Sequence, residues 1–229
     1  MPVLPAAIAP LLAPIPYLLI GAFPDGPLGG AALTLLLALS SAITSAIIGL
    51  ILGIALAMSR SVGHAVLLGV IGFFRAIPVL MLIFWVFFVL PLALGIDVPA
   101  GASVVFALSM IGGAYLAHAV YAGIQAVGGG QQQAASSLGL TRVQTMRYVI
   151  LPQALKIMTP SFVNQWVSLI KDTSLAYIVG VPELSFLANQ INSRLMVYPL
   201  EVFLFVALLY FLICTGFGWS ARRLIQRLV

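Results

Sequence analysis

The sequence predicts an all-α polytopic membrane protein. The 229-residue chain is 62% hydrophobic and only 7% charged, whereas about a quarter of an ordinary soluble chain is charged. Several uncharged runs reach or approach the roughly 20 residues that a helix needs to cross a bilayer. Because these runs are continuous rather than alternating, they predict helices and not the strands of a membrane barrel.

Residues 1–30 predict a proline-rich lead-in at the membrane surface or outside it. The first 23 residues are apolar but contain five prolines, and proline inside a helix removes a backbone hydrogen bond. The segment also lacks the basic start of a cleaved signal peptide. Residues 31–229 are therefore predicted to form the transmembrane domain.

About five spans are predicted in that domain. The first is Ala31–Met58, and the apolar region after it, Ala65–Leu94, is too long for one straight helix. Because that region contains Arg75 and Pro78, it predicts a bent element. Its spanning part is expected at Pro78–Leu94, and the remaining spans are expected at about Ser103–Ile124, Leu155–Ile178 and Pro199–Trp219.

Basic residues predict the orientation. Those in loops after the first, third and fifth spans fall on one side: Arg60, Arg142, Arg147, Lys156, Arg222, Arg223 and Arg227. The other side receives mostly acidic residues: Asp25, Asp97, Glu183, Arg194 and Glu201. Since cytoplasmic loops carry an excess of Lys and Arg, the N-terminus is predicted outside and the C-terminus in the cytoplasm. The net charge of +5 is thus explained by orientation and not by nucleic-acid binding.

The longest predicted cytoplasmic loop, at about 126–153, contains QQQAASSLGL at residues 131–140. Eight residues of helix are only about 12 Å long, and so short a helix is marginal alone in water. Ala134 and Ala135 permit close approach, and Gly139 suits a turn at the helix end. The pattern predicts a short helix that docks onto a cytosolic partner.

This loop resembles the EAA loop of ABC importer permeases, through Gly130, Gln131, Ala134, Ala135 and Gly139 with ILPQA at 150–154. The segments 33–39, 73–80 (FFRAIPVL), 113–124 (GAYLAHAVYAGI) and 164–184 (NQWVSLIKDTSLAYIVGVPEL) resemble permeases of the polar amino acid uptake family. The resemblance extends over nearly the whole chain from about residue 30. Residues 75–91 look most like subunits that handle acidic amino acids.

The resemblance implies a type I ABC importer permease fold in a bacterial cytoplasmic (inner) membrane. It implies a coupling helix in a groove of an ATPase subunit, carried by Gln131, Gln133, Ala134, Ala135, Gly139 and Leu140. The implied partners are two ATPases, a second permease, an extracytoplasmic amino acid binding protein and membrane lipid. The chain has no GxxxxGK[ST] phosphate loop, so we expect it not to be an enzyme. ATP and magnesium are expected in the partner ATPase.

The sequence departs from the family pattern in the coupling loop and in the third span. Gln133 replaces the usual Glu, which keeps the hydrogen bonding but removes the charge. The third span reads AYLAHAVYAGI where the family usually reads AYxxExxRGGI, so His118 replaces Glu and Tyr121 replaces Arg. One interpretation of the changes at His118 and Tyr121 is a subunit that has given up substrate binding to a related partner, and hence a heterodimer.

The third span carries a polar stripe. Tyr115, His118 and Tyr121 are three residues apart and share one helix face, with Gln125 one turn beyond. Polar groups inside a span are costly and face a cavity or another helix. The stripe predicts either part of the translocation path or a hydrogen bond between helices.

The fourth span offers a second polar face. Ser161, Asn164, Ser168 and Asp172 recur at helical spacing, and Lys171 adjoins Asp172. A zwitterionic amino acid carries both charges, so this face predicts a pathway or gate. The alternative is a structural ion pair that fixes the packing of the span.

Arg75 and Pro78 predict a structural break, and His64 predicts a loop histidine at the interface. His64 and His118 do not form a metal site, because neither has a Cys or carboxylate cluster nearby. A stand-alone secondary carrier or channel, or a membrane-embedded enzyme, would share the apolar composition but would not need the EAA-like loop.

Overall fold

The computed structural model describes residues 15–196 and 198–228, and its regular structure there is helical. Residues 1–14 of the predicted lead-in lie outside the described residues, and the next six form helix α1, Ile15–Ile20. Two isolated backbone bridges join Gly21 to Leu28 and Gly30 to Glu183. The predicted all-α fold is confirmed.

The remaining helices follow in chain order. They are α2 (Gly30–Met58), α3 (Ser61–Ala76), α4 (Val79–Phe84), which continues through the π-helical turn Trp85–Val89 into α5 (Leu90–Leu94), and α6 (Ala100–Ala126). After them come α7 (Gly129–Ser137), α8 (Arg142–Thr145), a π-helical turn (Met146–Ile150), α9 (Leu151–Asp172), a 3-10 helix (Thr173–Val179), α10 (Leu184–Leu195) and α11 (Pro199–Leu228).

Three helices in the described part of the chain are long and apolar enough to cross a membrane: Gly30–Met58, Ala100–Ala126 and Pro199–Arg223. The pair Ser61–Ala76 and Val79–Leu94, bent by 98°, is a fourth candidate. The break lies at Ile77 and Pro78, between α3 and α4. The predicted count of five spans is not confirmed, because α9 carries Lys156, Asn164, Lys171 and other polar residues that lower its hydropathy.

The chain divides into two compact units. Unit 1 comprises the described residues of Met1–Ser41, Val79–Leu108 and Ser168–Phe217; unit 2 comprises those of Ala42–Pro78, Ser109–Val167 and Gly218–Val229. The core of unit 1 contains Leu18, Leu184, Leu187, Val202 and Val206. Unit 2 contains two apolar clusters, one with Leu116, Val120, Met158 and Phe162, the other with Leu56, Ile71, Ala114 and Ala117.

A buried carboxylate organises unit 1. Glu183 has no exposed surface, and it caps the N-terminus of α10 by accepting hydrogen bonds from the backbone N–H groups of Ser185 (2.9 Å) and Phe186 (2.8 Å). It also accepts hydrogen bonds from the hydroxyls of Tyr210 (2.9 Å) and Thr34 (3.5 Å). Groups on α2, α10 and α11 therefore donate hydrogen bonds to the same buried carboxylate. From the sequence, Glu183 was expected only as an acidic residue on the side opposite the basic loops.

Replacing Glu183 with alanine is expected to destabilise the permease by about 3 kcal/mol or more, since buried donors would lose their acceptor. The measurement is thermal unfolding in detergent. Asp25→Ala is the matched control, because Asp25 is an exposed acid of the same unit. Equal melting temperatures for Glu183→Ala and Asp25→Ala would show that this cluster does not stabilise the fold.

Glycines bring α2 and α6 together in unit 2. A Cβ atom at Gly53 would lie 2.5 Å from the Cβ of Val120, and one at Gly49 would lie 2.5 Å from the Cβ of Leu116. Both distances are far below van der Waals contact. Small residues four apart allow the backbones of two membrane helices to approach closely, so these positions fix the α2–α6 contact.

Gly53→Leu is expected to prevent this packing, because the added side chain has no room without separating the two helices. The measurement is the fraction of monodisperse permease recovered by size exclusion in detergent. Gly69→Leu is the matched control, since a Cβ atom at Gly69 would have no described heavy atom within 4 Å. Similar recovery of the two variants would contradict the prediction.

Candidate functional site

The predicted coupling loop folds as α7 and α8 joined by a tight turn. The N–H of Leu140 donates to the carbonyl of Ala135 (3.2 Å), and the N–H of Gly139 donates to that of Ser136 (3.0 Å). Gly139 has a φ of +78°, which glycine adopts without the steric cost of a Cβ atom. This pattern is a Schellman motif, and it ends α7 with a defined geometry.

The structure separates the predicted coupling residues by exposure. Gln131, Gln133, Ala134 and Gly139 are exposed and Leu140 is half-buried, whereas Ala135 packs inward with 3% of its surface exposed. Leu138, which the sequence analysis did not single out, is 82% exposed. Gln131, Ala134 and Leu138 are spaced three and four residues apart and share one face. We call these three residues the coupling surface.

Side chains and backbone hold the loop in place on unit 2. Thr141 and Gln144 form a capping box at the start of α8, with bonds of 3.3 Å and 2.8 Å. The Nη2 atom of Arg142 donates to the carbonyl of Ala57 (3.5 Å), in the last turn of α2, where a cation is favoured by the helix dipole. Arg142 therefore links the loop to the end of α2.

The polar stripe of α6 contacts α3 within unit 2. The Tyr115 hydroxyl donates to the carbonyl of Arg75 (3.5 Å), and the Arg75 guanidinium lies 5.1 Å from the centre of the Tyr115 ring. Arg75, selected from the sequence as a structural residue, thus contacts Tyr115, and His118 lies one turn after Tyr115 on the same face of α6. We call these three residues the cationic face.

Tyr121 has different neighbours. Its ring lies 5.8 Å from the ring of His64, and its hydroxyl accepts a hydrogen bond from Gln125 (3.0 Å). His64 belongs to α3 and not to a loop, because α3 begins at Ser61, and its Nδ1 lies 3.1 Å from the carbonyl of Leu56. The hydrogen bond lies within α6, and the ring contact with His64 is the contact that joins Tyr121 to α3.

Charge is distributed unequally between the units. The five acidic residues, Asp25, Asp97, Asp172, Glu183 and Glu201, all fall in unit 1. Of the ten basic residues, Lys171 and Arg194 fall in unit 1, which leaves eight in unit 2. Unit 2 therefore contains both the cationic face and the coupling loop without a carboxylate of its own.

The polar residues of the fourth predicted span lie on α9. Asn164 is exposed and belongs to unit 2. Ser168 and Asp172 are half-buried, Lys171 is exposed, and all three belong to unit 1.

Comparison with known proteins agrees with the resemblance. The family described as "Binding-protein-dependent transport system inner membrane component" matches residues 49–229. The probable glutamine ABC transporter permease protein GlnP of Bacillus subtilis (strain 168) is 39% identical over 152 residues, which cover 66% of this chain and 69% of the relative. The glutamate/aspartate import permease protein GltK of Escherichia coli O6:H1 is 35% identical over 147 residues, covering 61% and 65%.

A solved structure is similar over a longer range. It is described as an amino acid ABC transporter with histidines, and it matches with a TM-score of 0.78 and 30% identity, covering 86% of this chain and 92% of that one. The family match covers well over half of the present chain, and the predicted type I importer permease fold is confirmed. The chain belongs to the family of binding-protein-dependent transport system inner membrane components.

Proposed function

We propose that the chain is a transmembrane permease subunit of an ATP-driven importer for polar amino acids. The observation that carries the proposal is the family match over residues 49–229 together with a coupling surface that faces outward from a rigid loop. Relatives named for glutamine and for glutamate and aspartate support the substrate class. Its partners are two ATPases, a second permease and an extracytoplasmic amino acid binding protein.

In this function α7 is the coupling helix. Leu138 and Ala134 enter a groove of the ATPase, and closure of two ATPases moves the loop as one body. The capping box, the Schellman turn and the contact between Arg142 and Ala57 keep the loop from absorbing that movement. The movement then reaches α2, which packs closely on α6 through Gly49 and Gly53. The ATPase performs the chemistry, and the permease converts it into alternating access.

The cationic face favours some classes of amino acid substrate over others. A guanidinium and a carboxylate form strong charge-assisted hydrogen bonds, so Arg75 is suited to the α-carboxylate that every amino acid carries. Because unit 2 has no acidic residue, nothing in it neutralises the extra charge of a cationic amino acid. We therefore propose neutral polar and acidic amino acids as substrates, in preference to basic ones. The residues of α9, Asn164, Ser168, Lys171 and Asp172, are proposed as further pathway or gate contacts.

The test is uptake of labelled glutamine into proteoliposomes that contain the complete complex and its binding protein, with and without ATP at the cytoplasmic face. We expect uptake to require ATP. Excess unlabelled glutamine or glutamate should compete more strongly than arginine. Uptake without ATP would favour the alternative of a secondary carrier or channel, and strongest competition by arginine would contradict the proposed role of Arg75.

A further inference from the structure

A cavity of about 130 Å³ lies beside the coupling loop, within unit 2 and apart from both the coupling surface and the cationic face. Its polar lining comes from two amides, a guanidinium, a hydroxyl and the start of α7: Gln125, Gln132, Arg142, Thr145, Gly128 and Gly129. This volume admits several water molecules or a small polar group.

The N-terminus of α7 contributes backbone donors to this cavity. The first N–H groups of a helix have no partner within the helix, and together they attract anions. Gly128 precedes the helix with a φ of +80° and has no side chain to cap it. At Gly129 and Gly130 a Cβ atom would meet no described heavy atom within 4 Å, so the backbone can be approached closely.

Two side chains of α8 add to the site. Arg142 uses one nitrogen for the long contact of 3.5 Å with the carbonyl of Ala57, and a guanidinium has five N–H donors. Thr145 is 2% exposed, and its buried hydroxyl has no hydrogen-bond partner among the described residues. An unpaired buried hydroxyl is unfavourable, so a partner that reaches Thr145 would recover stability.

Acidic side chains that could neutralise the positive charge of Arg142 at this cavity are scarce in this part of the chain. Unit 2 holds eight basic residues and none of the five acidic ones. An anion for this site must therefore come from outside unit 2.

We propose that this cavity binds a free small oxyanion of the size of inorganic phosphate. Arg142 supplies the charge, the first N–H groups of α7 and the amides of Gln125 and Gln132 supply further donors, and Thr145 lies at the wall. A bound anion links α7 to α8 and, through Arg142, to the end of α2. It stiffens the loop that carries the coupling surface. The inference depends on the geometry of unit 2 and not on the proposed substrate.

The experiment measures the melting temperature of the intact complex as phosphate replaces chloride at constant ionic strength. A saturating non-hydrolysable ATP analogue occupies the nucleotide sites of the ATPases, so that their response to phosphate is suppressed. Ligand that binds the folded state raises the melting temperature in a saturable way. We expect such a rise in the wild type, its loss in Arg142→Gln and its reduction in Thr145→Val.

Arg147→Gln is the matched control and should respond as the wild type does, because Arg147 is an exposed arginine of the same loop that contacts Tyr148 and does not line the cavity. If Arg142→Gln does not fold, Gln132→Leu and Thr145→Val replace it. A wild type without a saturable rise, or an equal rise in Arg142→Gln, overturns the proposal. If the wild type shows no rise and Arg142→Gln loses its ATPases in native mass spectrometry, a carboxylate of the ATPase occupies the cavity, which also overturns it.

Discussion

Leu138→Asp is expected to abolish substrate-stimulated ATP hydrolysis by the complex while the permease stays folded. Leu138 is 82% exposed at the end of α7, so the substitution buries little that unit 2 would miss and should leave its fold intact. In the complex the side chain is expected to enter an ATPase groove, where burying a leucine contributes about 1.5–3 kcal/mol. A buried, unpaired carboxylate adds a desolvation cost of several kcal/mol. Together, the lost burial of leucine and the desolvation of the carboxylate are expected to weaken binding between the permease and the ATPase by about 100-fold or more.

The readouts are ATPase stimulation in proteoliposomes and the amount of ATPase that co-purifies with the permease. Met196→Asp is the matched control, because Met196 is also 82% exposed but lies outside the loop. Leu138→Met, which conserves volume and polarity, should retain stimulation. Normal stimulation in Leu138→Asp would show that α7 does not couple the two subunits.

Arg75→Gln is expected to lower amino acid uptake by about 10- to 100-fold, since a hydrogen bond to a charged group contributes about 1.5–3 kcal/mol. The guanidinium lies 5.1 Å from the centre of the Tyr115 ring, which places it on the face proposed to meet the substrate carboxylate. The loss should appear mainly as a raised KM for uptake. Arg75→Lys should recover part of the activity because it keeps the charge but not the bidentate geometry.

A control separates this effect from damage to the fold. Arg223 also lies over an aromatic ring in unit 2, with its guanidinium 3.6 Å from the centre of Trp219, and Arg223→Gln should transport normally. If Arg75→Gln lowers the melting temperature and the yield together with uptake, Arg75 serves the break between α3 and α4, as the sequence first indicated. Unchanged uptake would remove Arg75 from the pathway altogether.

The sequence predicted the apolar helices well. The spans expected at 31–58 and 103–124 correspond to α2 and α6 within a few residues, because lipid favours continuous apolar runs and few other patterns. The bend between α3 and α4 was also predictable from the sequence, because Pro78 has no N–H to continue a helix. Hydropathy was a poorer guide to α9, whose polar residues interrupt the apolar run.

Contacts between distant segments were not predictable. Thr34 and Glu183 are 149 residues apart in sequence, and Tyr115 is 40 residues from Arg75. In α7 the residues are small or uncharged polar ones without a hydrophobic period, so the sequence did not indicate that Ala135 packs inward. The role of Leu138 could have been predicted from the sequence, because an isolated large apolar residue next to Gly139 in a polar loop suggests contact with a partner protein.

The central claim is that this chain is a permease that works with ATPase subunits. Native mass spectrometry of the complex, purified in mild detergent by a tag on this chain, tests it most directly. We expect two ATPase subunits with two permeases, and one different permease beside this chain would establish the proposed heterodimer. Two copies of this chain would refute the heterodimer and leave the importer intact, whereas a complex without any ATPase would contradict the account.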